Sequence, residues 1–78
     1  MASEGLRALE AVGECGSFLQ AAERLGKGHP SVLYAVQRLE LTTGLTLVNR
    51  TGYRAQLTAA GEQALIQIRR RRSIKETR

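Results

Sequence analysis

Ser31, Tyr34, Gln37 and Arg38 follow His29-Pro30 at helical spacing and bring hydroxyls, an amide and a guanidinium. Base edges and phosphates exchange hydrogen bonds with those groups. At about 3.6 residues per turn, Val32, Val36, Leu39 and Thr43 share one side of the helix. Ser31, Tyr34, Arg38 and Leu41 lie opposite, with Pro30 and Gln37 at the margin, and that outer side holds no carboxylate. Further along, Arg50 and Arg54 bracket Tyr53 in "RTGYR", a second cationic feature. Catalysis finds no comparable constellation. The seven carboxylates are scattered, His29 has no cysteine or carboxylate beside it, and no glycine-rich phosphate loop occurs. Neither an enzyme activity, a metal site nor a cofactor is expected.

Charge agrees with a polyanionic partner. The 78 residues carry a net +5, unevenly placed. Residues 1–25 hold four glutamates against two arginines, a net of −2, whereas residues 26–78 hold ten Lys/Arg against three glutamates, a net of +7. Such a polarity points one side of the molecule towards polyanions; a solvated basic surface with a basic tail is the blander reading. Composition alone leaves DNA, RNA and an anionic membrane open. The length suits one domain near the lower limit for a self-sufficient core. With one Phe, two Tyr and no Trp, that core must come from Leu, Val, Ile and Ala. Cys15 is a single cysteine, which fits a reducing, cytoplasmic setting. No apolar run has the length of a membrane span or a signal peptide, so no membrane partner is expected.

The elements that must position these residues are legible in turn. Leu6, Leu9 and Val12, with Ala8 and Ala11, predict a first helix over about 3–14, ending near Cys15-Gly16. Ser17 and Gln20 form an S-x-x-Q capping box for a second helix, with Phe18, Ala21, Ala22 and Leu25 as its buried side. Gly26-Lys27-Gly28 breaks the chain, either glycine being able to take positive φ. A third helix opens at His29-Pro30 and stops at Gly44. In "LTLVNRTGYRAQLT", Leu45 and Leu47, then Ala55 and Leu57, alternate with polar residues, predicting two short strands around a glycine-containing turn. Thr58 can cap a fourth helix whose apolar stripe is Ala60, Ala64, Leu65 and Ile68, widened by Ile66, before Arg69–Arg72 interrupt it. Fraying is expected over the last ten residues.

Helix, helix, tight turn, helix and hairpin is the order of a winged helix-turn-helix, whose second paired helix enters the major groove. The expected fold is mainly α, with a three-helix core, a two-stranded wing and a C-terminal helix. Residues 1–58 are expected to form the DNA-binding unit (helix-turn-helix about 18–43, wing about 45–58), and 59–78 a C-terminal helix with a basic tail, which the resemblance described next makes a linker helix.

Specific residues now carry a resemblance. "GSF" at 16–18, "AAERL" at 21–25, Pro30, "V-x-x-LE" at 36–40, Gly44, Leu47, Arg50 and "LTAAGE" at 57–62 resemble the N-terminal DNA-binding domain of LysR-type transcriptional regulators, over about residues 4–66. The resemblance implies a bacterial transcription regulator that binds double-stranded DNA as a homodimer through its fourth helix. Its third helix would lie in the major groove and its wing along the minor groove. Ser17 would then cap its helix and donate to a phosphate, and Pro30 matches the proline opening the recognition helix. Arg50 matches the arginine ending the first wing strand, with a partly structural role. Arg54 falls in the basic wing tip, where an arginine exploits a narrow groove's negative potential. Family members carry a C-terminal effector-sensing domain outside these residues, so a small-molecule effector is expected only where one is attached.

The departures concern operator choice more than fold. Gly28 replaces a usual Ser or Thr, costing roughly a few tenths of a kcal/mol in capping. Lys27 replaces Val or Ile, His29 a base-reading Gln, Leu33 a Ser, and Val48 a frequent Phe. Several positions keep two readings. His29 is a surface or capping residue, or a hydrogen-bonding group at the DNA. Tyr34 packs, or reaches a phosphate or base, its place opposite Val36 favouring exposure. Arg38 is solvated or in contact. Arg69–Arg72 either grip phosphates or are solvated beyond the dimer helix, and a membrane-surface role for them is a more distant alternative. A protein-interaction module that reuses the fold without touching DNA is the alternative from another class.

Overall fold

The computed structural model describes residues 4–50 and 54–76, with the side chains of residue 68 and residues 71–76 outside that description. Over this span run α1 (Glu4–Cys15), α2 (Phe18–Leu25), α3 (His29–Thr43), β1 (Val48–Asn49), β2 (Gln56–Leu57) and α4 (Ala59–Glu76). The strands are antiparallel, with Val48 opposite Leu57 and Asn49 opposite Gln56. Element order is therefore the expected one: a mainly helical domain with a two-stranded wing.

Local chemistry accounts for the boundaries. Ser17 is extended, and its Oγ accepts from the Gln20 amide at 3.2 Å, the hydroxyl half of the capping box. Gly26 takes the positive φ of 69° at the end of α2, and the Lys27 amide reaches back to the Ala22 carbonyl at 2.9 Å. This wraps the chain tightly into α3. Gly28 supplies no side-chain cap there, as expected, and Pro30 sits in the first turn, where its missing N–H costs nothing. Thr58 joins two elements. Its Oγ1 accepts from the Gly61 amide at 3.1 Å, capping α4, and donates to the Thr46 carbonyl at 2.6 Å.

The core is aliphatic. Leu9, Val12, Val32, Val36 and Leu47 are fully buried, and Ala8, Ala11, Ala21 and Ala22 let the first three helices approach closely. Val48 and Leu65 close the core from the hairpin and from α4. Gly61 marks the tightest approach, since a Cβ there would stand 2.3 Å from the Leu47 carbonyl oxygen.

Several expectations change. Leu65 is buried in its own protomer, and Ala60 and Ala64 pack half-buried against the same core. Of the stripe expected to carry the dimer contact, Leu65 is thus covered within its own chain, Ala60 and Ala64 stay partly exposed, and Ile68 lies outside the described side chains. Thr43, placed on the core side, is exposed at the end of α3, and its Oγ1 donates to the Leu39 carbonyl at 3.0 Å. Leu45 is exposed and precedes the strand, which begins at Val48. Helix α4 continues to Glu76, into the segment expected to fray. Among the described residues no helix is long and apolar enough to cross a membrane.

Candidate nucleic-acid interface

Phe18, the first residue of α2, is the point on which the predicted contact residues converge. Its ring is nearly buried, yet two of those residues reach it. His29, opening α3, meets it edge-on at 6.2 Å between centroids and 74° between planes. Arg50, just after β1, places its Cζ 5.6 Å from the ring centroid, an arrangement worth about 0.5–1 kcal/mol at an exposed site. Ser17, the adjacent N-cap, points the start of α2 to the same region. Arg54 approaches from just before β2: its Nη2 donates to the Cys15 carbonyl at 3.3 Å, and the neighbouring Ala55 amide donates to the Gly16 carbonyl at 3.1 Å. Residues 15–18 thereby gather both helix starts and both sides of the hairpin.

Arg54 does not stand free at a wing tip. Its guanidinium folds back on the α1–α2 junction, so close that a Cβ on Gly16 would lie 2.5 Å from Nη2. A helix C-terminus carries partial negative charge, which explains why a cation settles on the last carbonyls of α1. Tyr53, expected between the two arginines, falls outside the described residues.

The outer face of α3 is exposed at Pro30, Ser31, Tyr34, Gln37, Arg38 and Leu41, with Tyr34 60% and Leu41 83% accessible. Leu33 is instead half-buried against the core. Arg38 leans on Tyr34: Nη1 approaches the phenol oxygen at 3.5 Å, and Cζ lies 6.0 Å from the ring centroid. That hydrogen bond, followed by the charge interaction, raises the Arg38 pKa further above its ordinary value. The pair borders an open groove shared with Glu4 and Gly5, on the α1 flank of α3. The opposite flank, facing the hairpin, carries Glu40.

Sequence reasoning assigned Glu40 no role. Its Oε2 accepts from the Leu47 and Val48 amides at 2.8 and 3.2 Å, and its Oε1 stands 3.9 Å from Arg50 Nη2. One signal was available: Glu40 is the lone carboxylate of α3. Its partners are backbone amides beyond a turn, which no side-chain pattern announces.

The glutamates of α1 are likewise engaged by other elements. Glu4 hydrogen-bonds Lys27 of the helix-turn-helix turn, and that hydrogen bond, then the Lys27 charge, lowers the Glu4 pKa. Glu14 holds Arg24 at 2.5 Å and Arg69 at 3.5 Å, while Glu10 lies 3.9 Å from Arg69. The first arginine of the basic run is therefore docked on α1, a placement neither sequence-based reading anticipated.

Residues 3–62 match the family described as "Bacterial regulatory helix-turn-helix protein, lysR family". The HTH-type transcriptional activator AllS of Salmonella paratyphi A is 45% identical over 64 residues, covering 82% of this chain and 21% of that protein. The probable HTH-type transcriptional regulator YhaJ of Escherichia coli K12 is 36% identical over 62 residues, covering 80% and 21%. This chain thus spans about a fifth of the length of the curated relatives it matches. Among solved structures, the CbnR DNA-binding domain in complex with DNA superposes with a TM-score of 0.85 at 32% identity, covering 99% of this chain and 88% of that one. The BenM DNA-binding domain on catB site 1 DNA gives 0.85 at 27% identity, covering 99% and 87%. On a matched span that includes all three core helices and the hairpin, this chain belongs to the lysR family of bacterial regulatory helix-turn-helix proteins.

Proposed function

We propose that this chain binds double-stranded DNA sequence-specifically, as the DNA-binding part of a transcription regulator. Helix α3 enters the major groove and the hairpin follows the adjacent minor groove. The observation that carries this reading is the gathering of Ser17, His29 and Arg50 around Phe18, beside an α3 face that presents hydroxyls, an amide and a guanidinium. CbnR and BenM DNA-binding domains, which superpose along nearly the whole chain, were solved on DNA.

In this reading Ser17 and the start of α2 meet a phosphate, as helix N-termini do. His29, Pro30, Ser31, Tyr34, Gln37 and Arg38 form the major-groove surface, with Leu33 supporting it from beneath. Arg50 and Arg54 serve the minor groove, and Arg54 must leave or share the Cys15 carbonyl to do so. Residues 1–58 act as the reading unit and 59–78 as the linker. Homodimerisation is assigned to α4, on which Ile66 is 38% exposed.

A salt-titrated mobility shift on duplex DNA tests the reading. Six to ten phosphate contacts lower affinity about 10³- to 10⁵-fold between 50 and 200 mM salt. A chain that dimerises but retards no duplex, at any salt, is the interaction module instead.

A further inference from the structure

One side chain, Glu40, links both of the parts that this reading sends into neighbouring grooves. Glu40 lies on the hairpin flank of α3, its side chain only 16% exposed. Oε2 takes hydrogen bonds from two successive amides, Leu47 and Val48, where the chain enters β1. Oε1 faces Arg50, whose guanidinium lies over Phe18. Amide bonds to a carboxylate are among the stronger hydrogen bonds. Among the described residues two pairs join the strands of the hairpin, and an isolated two-stranded hairpin is marginal in water. Leu47 and Val48 are themselves buried, so their amides need an internal acceptor.

We propose that Glu40 is a positioning residue for DNA recognition: it fixes Arg50 and the first wing strand relative to the outer face of α3, so that helix and wing engage a duplex as one unit. The inference rests on the DNA-binding reading above. Glu40 itself touches no nucleic acid; its effect passes through Arg50.

Glu40→Gln separates this role from general support of the fold. The amide keeps a carbonyl oxygen for the Leu47 and Val48 amides but gives up the charge that faces Arg50. The full chain, Glu40→Gln, Arg50→Ala and the double variant are compared on a duplex selected by the unaltered chain from a random pool. Melting temperature and ¹H–¹⁵N spectra are recorded in parallel. Glu40→Gln is expected to keep the Leu47 and Val48 amides protected, to shift the Arg50 Nε resonance and to weaken binding about tenfold. Arg50→Ala is expected to weaken binding similarly, and the double variant to be within about twofold of Arg50→Ala alone, because residues in one network do not add independently. Unaltered binding by Glu40→Gln overturns the proposal, as does an equal loss from it with or without Arg50. If the unaltered chain selects no duplex, the DNA reading has failed by itself. The Arg50 resonance then decides the positioning claim: a shift in Glu40→Gln supports it, and an unmoved signal overturns it.

Discussion

Phe18 and Tyr34 are both aromatic, yet substitution should affect them through opposite quantities. The Phe18 ring is nearly buried and carries His29 on its edge and Arg50 against its face. Phe18→Leu keeps apolar bulk and loses both ring interactions, so we expect a stability loss of about 1–2 kcal/mol by denaturant titration. Tyr34 stands 60% exposed with Arg38 beside it. Tyr34→Ala should leave the melting temperature within about 2 °C, as surface changes do, and weaken binding to a selected duplex more than to a scrambled one. Equal loss on both duplexes would contradict base readout at this position. The exposure of Tyr34 was legible from its place opposite Val36, and the cap at Ser17 from the S-x-x-Q spacing. Glu40 stands in the V-x-x-LE pattern, but its role was not legible, because a carboxylate bonded to main-chain amides leaves no partner in the side-chain pattern.

At the scale of elements, the cap and breaker residues set boundaries that periodicity alone leaves loose. Ser17, Gly26 and Gly44 bound α2 and α3 where their chemistry placed them. Ser17→Ala should cost about 1 kcal/mol, since the Gln20 amide loses its acceptor. The apolar stripe of α4 was legible in the sequence, whereas what covers each of its residues was not. Helical spacing shows which residues share a face, and says nothing about whether α1 or a second subunit covers it. Leu65 turned out to be covered by its own chain. Gly61 shows how tightly α4 meets the strand: Gly61→Ala drives a Cβ to 2.3 Å from the Leu47 carbonyl oxygen. Backbone cannot yield there as a side-chain tip can, so thermal unfolding should show a loss of about 1–3 kcal/mol.

At the scale of the whole molecule, the acidic start of the sequence is tied to the basic remainder by ion pairs among the described residues. Glu4, Glu10 and Glu14 reach Lys27, Arg24 and Arg69, tying α1 to the turn, to α2 and to α4. Each pair has at least one half-exposed partner, so the individual contribution to stability is small. The lowered pKa of Glu4 gives its tether a definite sign. The contribution is present above the unfolded-state pKa and is lost as pH falls through the lowered folded value. The arginine run looked from sequence like a free electrostatic grip or a solvated tail. Arg69 is instead held on α1, which only a three-dimensional arrangement could disclose. The side that the DNA-binding proposal gives to a polyanion is the one bearing α3, Arg50 and Arg54.

Titrating the ¹⁵N-labelled chain with a selected duplex, and following each amide, locates that side most directly. The largest shifts should fall at Ser17 and Phe18, across 29–38, and at Arg50, Arg54 and Ala55, with Ile66 and its neighbours on α4 little changed by DNA. Shifts confined to α4 around Arg70, with α3 silent at saturation, would contradict the interface described for this protein.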